Sequence, residues 1–103
     1  SGKTREVLEF DRLVKKLYNN IPVLVLTGNN NSPLKELASV CLYTGNPEEI
    51  CPLGLTPTTS TTVMTVVGDI LVVSMMEKIN FTKEDYAKRH HSGYLGQKAK
   101  SNE

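Results

Sequence analysis

Three stretches of this sequence hold more hydroxyl, glycine and titratable residues than local structure alone requires. Ser1-Gly2-Lys3-Thr4 stands at the start of a helical pattern. Backbone N–H groups freed at a helix N-terminus, with two hydroxyls beside them, form a seat for an anion, and phosphate is the usual one. A plain N-cap, or a Ser-Gly scar left by cloning, would look the same locally. The second stretch is Cys51-Pro52-Leu53-Gly54-Leu55-Thr56-Pro57-Thr58-Thr59-Ser60-Thr61-Thr62, ending in five consecutive hydroxyl residues. One helix cap uses fewer, so Thr59, Ser60 and Thr61 are candidates both for capping a first turn and for lining a polar pocket.

The third stretch, Arg89-His90-His91-Ser92-Gly93-Tyr94-Leu95-Gly96, contains both histidines of the chain. A histidine pair near a chain end is usually solvated surface. A histidine that follows a helix end, with glycines nearby, is also a fair general base, because imidazole exchanges protons near neutral pH.

The elements that must position these residues follow from the hydrophobic pattern. Val7, Phe10, Leu13, Val14, Leu17 and Tyr18 recur at helical spacing, predicting a helix over residues 3–18 that Asn19-Asn20 ends. Residues 21–26, Ile-Pro-Val-Leu-Val-Leu, are apolar on both faces, the pattern of a central parallel strand. Ser32-Pro33 reads as an N-cap and first helical position, opening a short helix that leads to a second strand over residues 40–43. A helix from about residue 61 to 78, apolar almost all round, is expected to be buried or to lie at a subunit interface, with Gly68-Asp69 buried in it. Thr82 with Asp85 predicts a capping box for a helix over residues 83–89, and the polar tail over residues 97–103 is expected to be disordered. Helix, strand, helix, strand implies right-handed crossovers and a parallel sheet. Two strands are too few for this many helices, so the remaining sheet is expected at the amino end, outside these 103 residues.

Composition narrows the classes. Twelve basic against eleven acidic residues give a net charge of +1, which points to neither nucleic acid nor a membrane surface. Cys41 and Cys51 have neither the density nor the spacing of a disulfide scaffold, which fits a cytoplasmic protein, and no secretory leader is visible. The apolar stretch over residues 63–76 is broken by Thr65, Gly68, Asp69 and Ser74 and reads as too short and too polar to span a bilayer.

In order and spacing, the three stretches resemble the arabinose 5-phosphate isomerases, enzymes built on the sugar-isomerase (SIS) domain. The resemblance runs from Ser1 to Gly96. Its most specific parts are the run from Glu49 through Cys51-Pro52-Leu53-Gly54 to Thr62, then Gly68-Asp69. Phe81-Thr82 leading through Asp85-Tyr86-Ala87 to His90 and Gly93-x-Leu95-Gly96 is equally specific. It implies an α/β fold, a three-layer sandwich on a parallel, doubly wound sheet, of which residues 1–103 are the carboxy-terminal part of one SIS domain without regulatory CBS domains. It matches Ser1 and Thr4 to phosphate-binding hydroxyls, Glu49 to the glutamate before Cys-Pro, and His90 to the histidine of the closing motif. It implies a homotetramer with shared active sites, no cofactor and no required metal. It also implies a supply of arabinose 5-phosphate to Kdo and lipopolysaccharide synthesis.

Two departures stand out. The family usually has glutamate at the position of Lys3, so Lys3 becomes a possible anion-binding residue. It usually has Ser-His-Pro-Gly-Gly where this chain has Arg89-His90-His91-Ser92-Gly93, which leaves His91 as the alternative base. On this reading His90 moves the proton between C1 and C2 through an enediol, and Glu49 orients it or shuttles protons. Cys51, near Glu49 in sequence and expected to approach His90, suggests an inhibitory zinc site. The alternatives are an isomerase for another pentose or hexulose phosphate, and a non-catalytic SIS domain that senses a sugar phosphate.

Overall fold

The computed structural model describes residues 1–101. Its elements run α1 (Arg5–Leu17), β1 (Leu24–Thr27), α2 (Pro33–Leu37), β2 (Val40–Tyr43), α3 (Thr59–Lys78), α4 (Lys83–Arg89) and α5 (Gly93–Lys100). The chain divides into two compact units, Ser1–Val67 and the residues from Gly68 onward.

The first unit is built on a parallel pair, with Leu24 opposite Val40 and Thr27 opposite Tyr43. The expected parallel sheet is therefore present, with two strands. β1 begins three residues later than the apolar run suggests, because the run includes Pro22, whose nitrogen cannot donate to a ladder. Val25 and Leu34 are buried and form the apolar centre of this unit. Lys15 ties α1 to α2: its Nζ pairs with the buried Asp11 carboxylate at 3.5 Å and donates to the Leu37 carbonyl. Without that cation Asp11 would be an uncompensated buried charge, a costly arrangement.

At the carboxyl ends of the strands the backbones come close. A Cβ on Gly28 would lie 2.7 Å from the Gly45 carbonyl oxygen, so the crossing requires glycine. These strand ends, in open α/β sheets, are where ligands bind.

α3 departs from expectation in burial. None of its 20 residues is buried, and Val66, Ile70, Val72, Val73 and Met75 are all more than half exposed. Asp69 is exposed as well, so the expected buried carboxylate is not found. A helix apolar all round needs cover on every side, and two short strands with four short helices do not supply it. The helix also starts earlier than predicted, at Thr59, which makes it long and apolar enough to cross a membrane by length and composition.

In the second unit α3 ends in a Schellman arrangement. Asn80 takes a left-handed conformation (φ 50°), its N–H reaches the Glu77 carbonyl at 3.1 Å, and the Phe81 N–H reaches that of Met76 at 2.9 Å. The capping box is present: Thr82 Oγ1 accepts the Asp85 N–H at 3.1 Å, and Asp85 Oδ2 accepts the Thr82 N–H at 3.2 Å. The tail expected to be disordered from Gln97 instead continues α5 to Lys100; residues 102 and 103 lie outside the described residues. Leu95 and Ala99, four apart on α5, face a cavity of about 320 Å³ shared with Met76, Phe81 and Tyr86, which gives the helix its apolar contact.

Candidate active site

The amino end forms an open cap. Thr4 is the N-cap of α1, yet its side chain makes no capping hydrogen bond. Both the hydroxyl and first-turn N–H groups are thus left for another acceptor or donor. Before it, Gly2 has φ +65°, and a Cβ there would lie 2.3 Å from Ser32 Cβ and 3.1 Å from Thr27 Oγ1. Glycine is required on both counts. The Asn29 carboxamide donates to the Ser1 carbonyl at 3.1 Å, and Ser1 Oγ accepts the Lys3 N–H at 3.4 Å. Lys3 is exposed and precedes the N-cap, so it lies outside the first turn that the sequence pattern assigns to it.

Glu49 is bound to the start of α3. Its Oε2 accepts the Thr58 N–H at 2.6 Å, the Thr58 hydroxyl at 2.8 Å and the Ser60 N–H at 3.3 Å. The Ser60 hydroxyl, the Thr58 N–H and the Thr58 hydroxyl hold the carboxyl down to about 2. A carboxylate at a helix N-terminus also meets the positive end of the macrodipole. Ionised throughout the neutral range, Glu49 suits an orienting or electrostatic role and not the shuttling of protons.

The hydroxyl run divides. Thr61 Oγ1 and Thr62 Oγ1 bond back to the Thr58 carbonyl at 2.8 and 3.2 Å. Thr59 Oγ1 is buried without a hydrogen-bond partner. Thr61 therefore serves the backbone, Ser60 serves Glu49, and Thr59 keeps an unused hydroxyl. Cys51 is half-buried, and its thiol is lowered to about 6 by the Thr56 hydroxyl first, then by the Thr56, Leu53 and Leu55 N–H groups. Gly54 (φ +63°) makes that turn, its N–H reaching the Cys51 carbonyl at 2.8 Å.

Ser1, Lys3, Thr4, Glu49, Cys51, Thr59, Ser60 and Thr61 all belong to the first unit, and His90 and His91 to the second. His90 is the C-cap of α4, with its N–H on the Tyr86 carbonyl at 2.9 Å. Its ring stacks on that of Tyr86, centroids 4.2 Å apart and planes 8° from parallel. His91 is exposed, and its carbonyl accepts Lys100 Nζ at 3.4 Å. For the zinc expected at Cys51 and His90, no group of three His, Cys, Asp or Glu side chains able to hold a metal occurs among the described residues.

Sequence reasoning missed the Tyr86 stack, although the four-residue spacing of Tyr86 and His90 on one helix was a usable signal. It also missed the hold of Thr56 on Cys51, which depends on a turn that no local pattern specifies.

Comparison with known proteins supplies the family. The SIS domain family matches residues 1–74. The arabinose 5-phosphate isomerase KdsD of Pseudomonas aeruginosa is 43% identical over 98 residues, covering 95% of this chain and 29% of that protein. The KdsD of Salmonella typhimurium is 40% identical over the same share of each. The chain thus spans under a third of the curated relatives it matches. A Bacteroides fragilis crystal structure, assigned as a phosphosugar isomerase involved in capsule formation, is 57% identical. It superposes with a TM-score of 0.80 over 91% of this chain and 49% of its own. With the family match covering most of its length, this chain belongs to the SIS-domain family.

Proposed function

We propose that the chain carries the carboxy-terminal part of an isomerase that interconverts D-arabinose 5-phosphate and D-ribulose 5-phosphate through an enediol. The observation that carries this reading is the uncapped Thr4: a helix of 13 residues starts at a threonine whose hydroxyl does not cap it. That start is ready for a phosphate. The choice of sugar follows the arabinose 5-phosphate isomerases, which the chain matches at 39–43% identity.

Ser1 and Thr4 hold the phosphate, and Lys3, just outside the helix, adds positive charge to it. His90 is the base that moves the proton between C1 and C2, and Glu49, ionised at neutral pH, orients charge without exchanging protons. Thr59 is the hydroxyl of its run left free for a polar ligand. Binding energy from the phosphate, remote from the reacting carbons, helps hold them against the base. The enzyme is a cytoplasmic homotetramer with shared active sites, in which other subunits cover α3, and it supplies arabinose 5-phosphate to Kdo and lipopolysaccharide synthesis.

The test is a panel of aldose phosphates offered to the full-length protein, with ketose product measured. Turnover of arabinose 5-phosphate well above ribose 5-phosphate and glucose 6-phosphate supports the reading. Preference for a hexose phosphate would replace the substrate.

A further inference from the structure

The imidazole of His90 is exposed and stands at the end of a seven-residue helix. Among the described residues neither of its ring nitrogens makes a hydrogen bond. A base left so would sample several rotamers, and a poorly positioned catalytic group loses rate steeply. What restrains it is aromatic: the Tyr86 ring lies 4.2 Å away and within 8° of parallel. Tyr86 is itself held. It is half-buried, one turn earlier on α4, and lines the same cavity as Met76, Phe81 and Leu95.

The backbone beneath His90 is fixed separately. A Cβ on Gly96 would lie 1.8 Å from the His90 carbonyl oxygen and 2.9 Å from its carbon, so α5 packs directly on this residue. On the other side, Arg89 closes the last turn of α4. Its Nη1 donates to the Asp85 carbonyl at 2.9 Å and its guanidinium sits 5.3 Å from the Phe81 ring centre.

We propose that Tyr86 is a positioning residue for His90, its ring face fixing the imidazole plane while both nitrogen edges stay open to substrate and solvent. This rests on the reading of His90 as the base. The stack acts where a carboxylate hydrogen-bonded to the ring usually acts in catalytic histidines. It differs in one respect: stacking sets the plane without choosing a tautomer, so either nitrogen can carry the proton.

The experiment measures arabinose 5-phosphate turnover by the full-length protein as wild type, Tyr86→Phe, Tyr86→Leu, His90→Gln and the Tyr86→Leu/His90→Gln double variant. Tyr86→Phe keeps the stack and should stay near wild type. Tyr86→Leu should lose about 10- to 100-fold in kcat with KM little changed, because orientation and not binding is lost. The double variant should be no worse than His90→Gln alone, since two residues acting as one unit do not add. Full kcat in Tyr86→Leu, beside an inactive His90→Gln, overturns the positioning role and leaves the base reading standing. An active His90→Gln overturns the base reading itself, and this inference with it. A Tyr86→Leu loss that persists in full on the His90→Gln background shows that Tyr86 acts independently, and also overturns the proposal.

Discussion

The Glu49 carboxylate reaches the start of α3 from nine positions earlier in the chain, its Oε2 taking the Thr58 N–H at 2.6 Å and the Thr58 hydroxyl at 2.8 Å. One side chain thereby closes the Cys51–Pro57 loop and takes the Ser60 N–H of the first turn of a 20-residue helix at 3.3 Å.

Acid stability should report this cap. The folded carboxyl sits at about 2 against an ordinary 4.5, so the ionised form is favoured by the fold. A depressed pKa contributes stability that is full above the unfolded value and lost as pH falls through the folded one. Wild type should therefore weaken between about pH 4.5 and 2 more steeply than Glu49→Gln, which should melt lower at pH 7. Parallel melting curves for the two proteins across that range would remove the cap from the account.

Cys51 should react as a thiolate at neutral pH. With its pKa near 6, alkylation by iodoacetamide should rise through pH 6 and level off before pH 8. Thr56→Val removes the strongest of its donors and should move that rise to higher pH. The check is peptide mass spectrometry of alkylation at Cys51 over pH 5–9. A rise centred above pH 8 in the wild type would contradict the nest of donors.

Thr4→Val should separate ligand binding from folding. Its hydroxyl does not cap α1, so the unliganded melting temperature should hardly change. Losing a hydrogen bond to a charged phosphate should weaken sugar-phosphate affinity by about 10- to 100-fold. Lys3→Glu should also weaken it, by charge, with no loss of unliganded stability. Calorimetric titration alongside thermal melts distinguishes this from an ordinary cap, for which stability would fall and affinity would not.

The uncovered face of α3 makes a prediction about assembly. Ile70, 59% exposed, and Val73, 55% exposed, are the residues a neighbouring subunit would cover. Ile70→Asp should shift the full-length protein to smaller species in analytical ultracentrifugation, since an unpaired charge in an apolar interface is costly. An unchanged sedimentation profile would place any subunit contacts elsewhere.

Much of this arrangement was legible from pattern. The α1 stripe, β2 and the Thr82–Asp85 box each rest on local rules that nothing in the tertiary structure overrides, and α2 starts at Ser32-Pro33 as expected although the Ser32 side chain makes no capping hydrogen bond. What was not legible depends on contacts between distant segments. No helix is expected between residues 90 and 96 from pattern, but Gly93 opens α5 with φ +79° and Gly96 lets it pack on the His90 carbonyl. The hydroxyl run at 58–62 reads both as capping and as pocket lining, whereas the Ser60 N–H of the first turn goes to Glu49, eleven positions away and outside any local pattern. The apolar Val63–Met76 stretch looked buried because composition reports a need for cover, not what provides it.

The central claim is proton transfer by His90, and solvent-exchange NMR tests it most directly. Full-length protein is incubated with arabinose 5-phosphate in D₂O, and deuterium at C2 of the aldose and at C1 of the ketose is followed together with formation of ribulose 5-phosphate. Wild type should incorporate deuterium as it turns over, and His90→Gln should lower both rates by about 10²- to 10⁴-fold while still binding the sugar. His91→Gln should do neither. Tight binding by the wild type with no exchange and no ketose would contradict the account and make the chain part of a sugar-phosphate sensor.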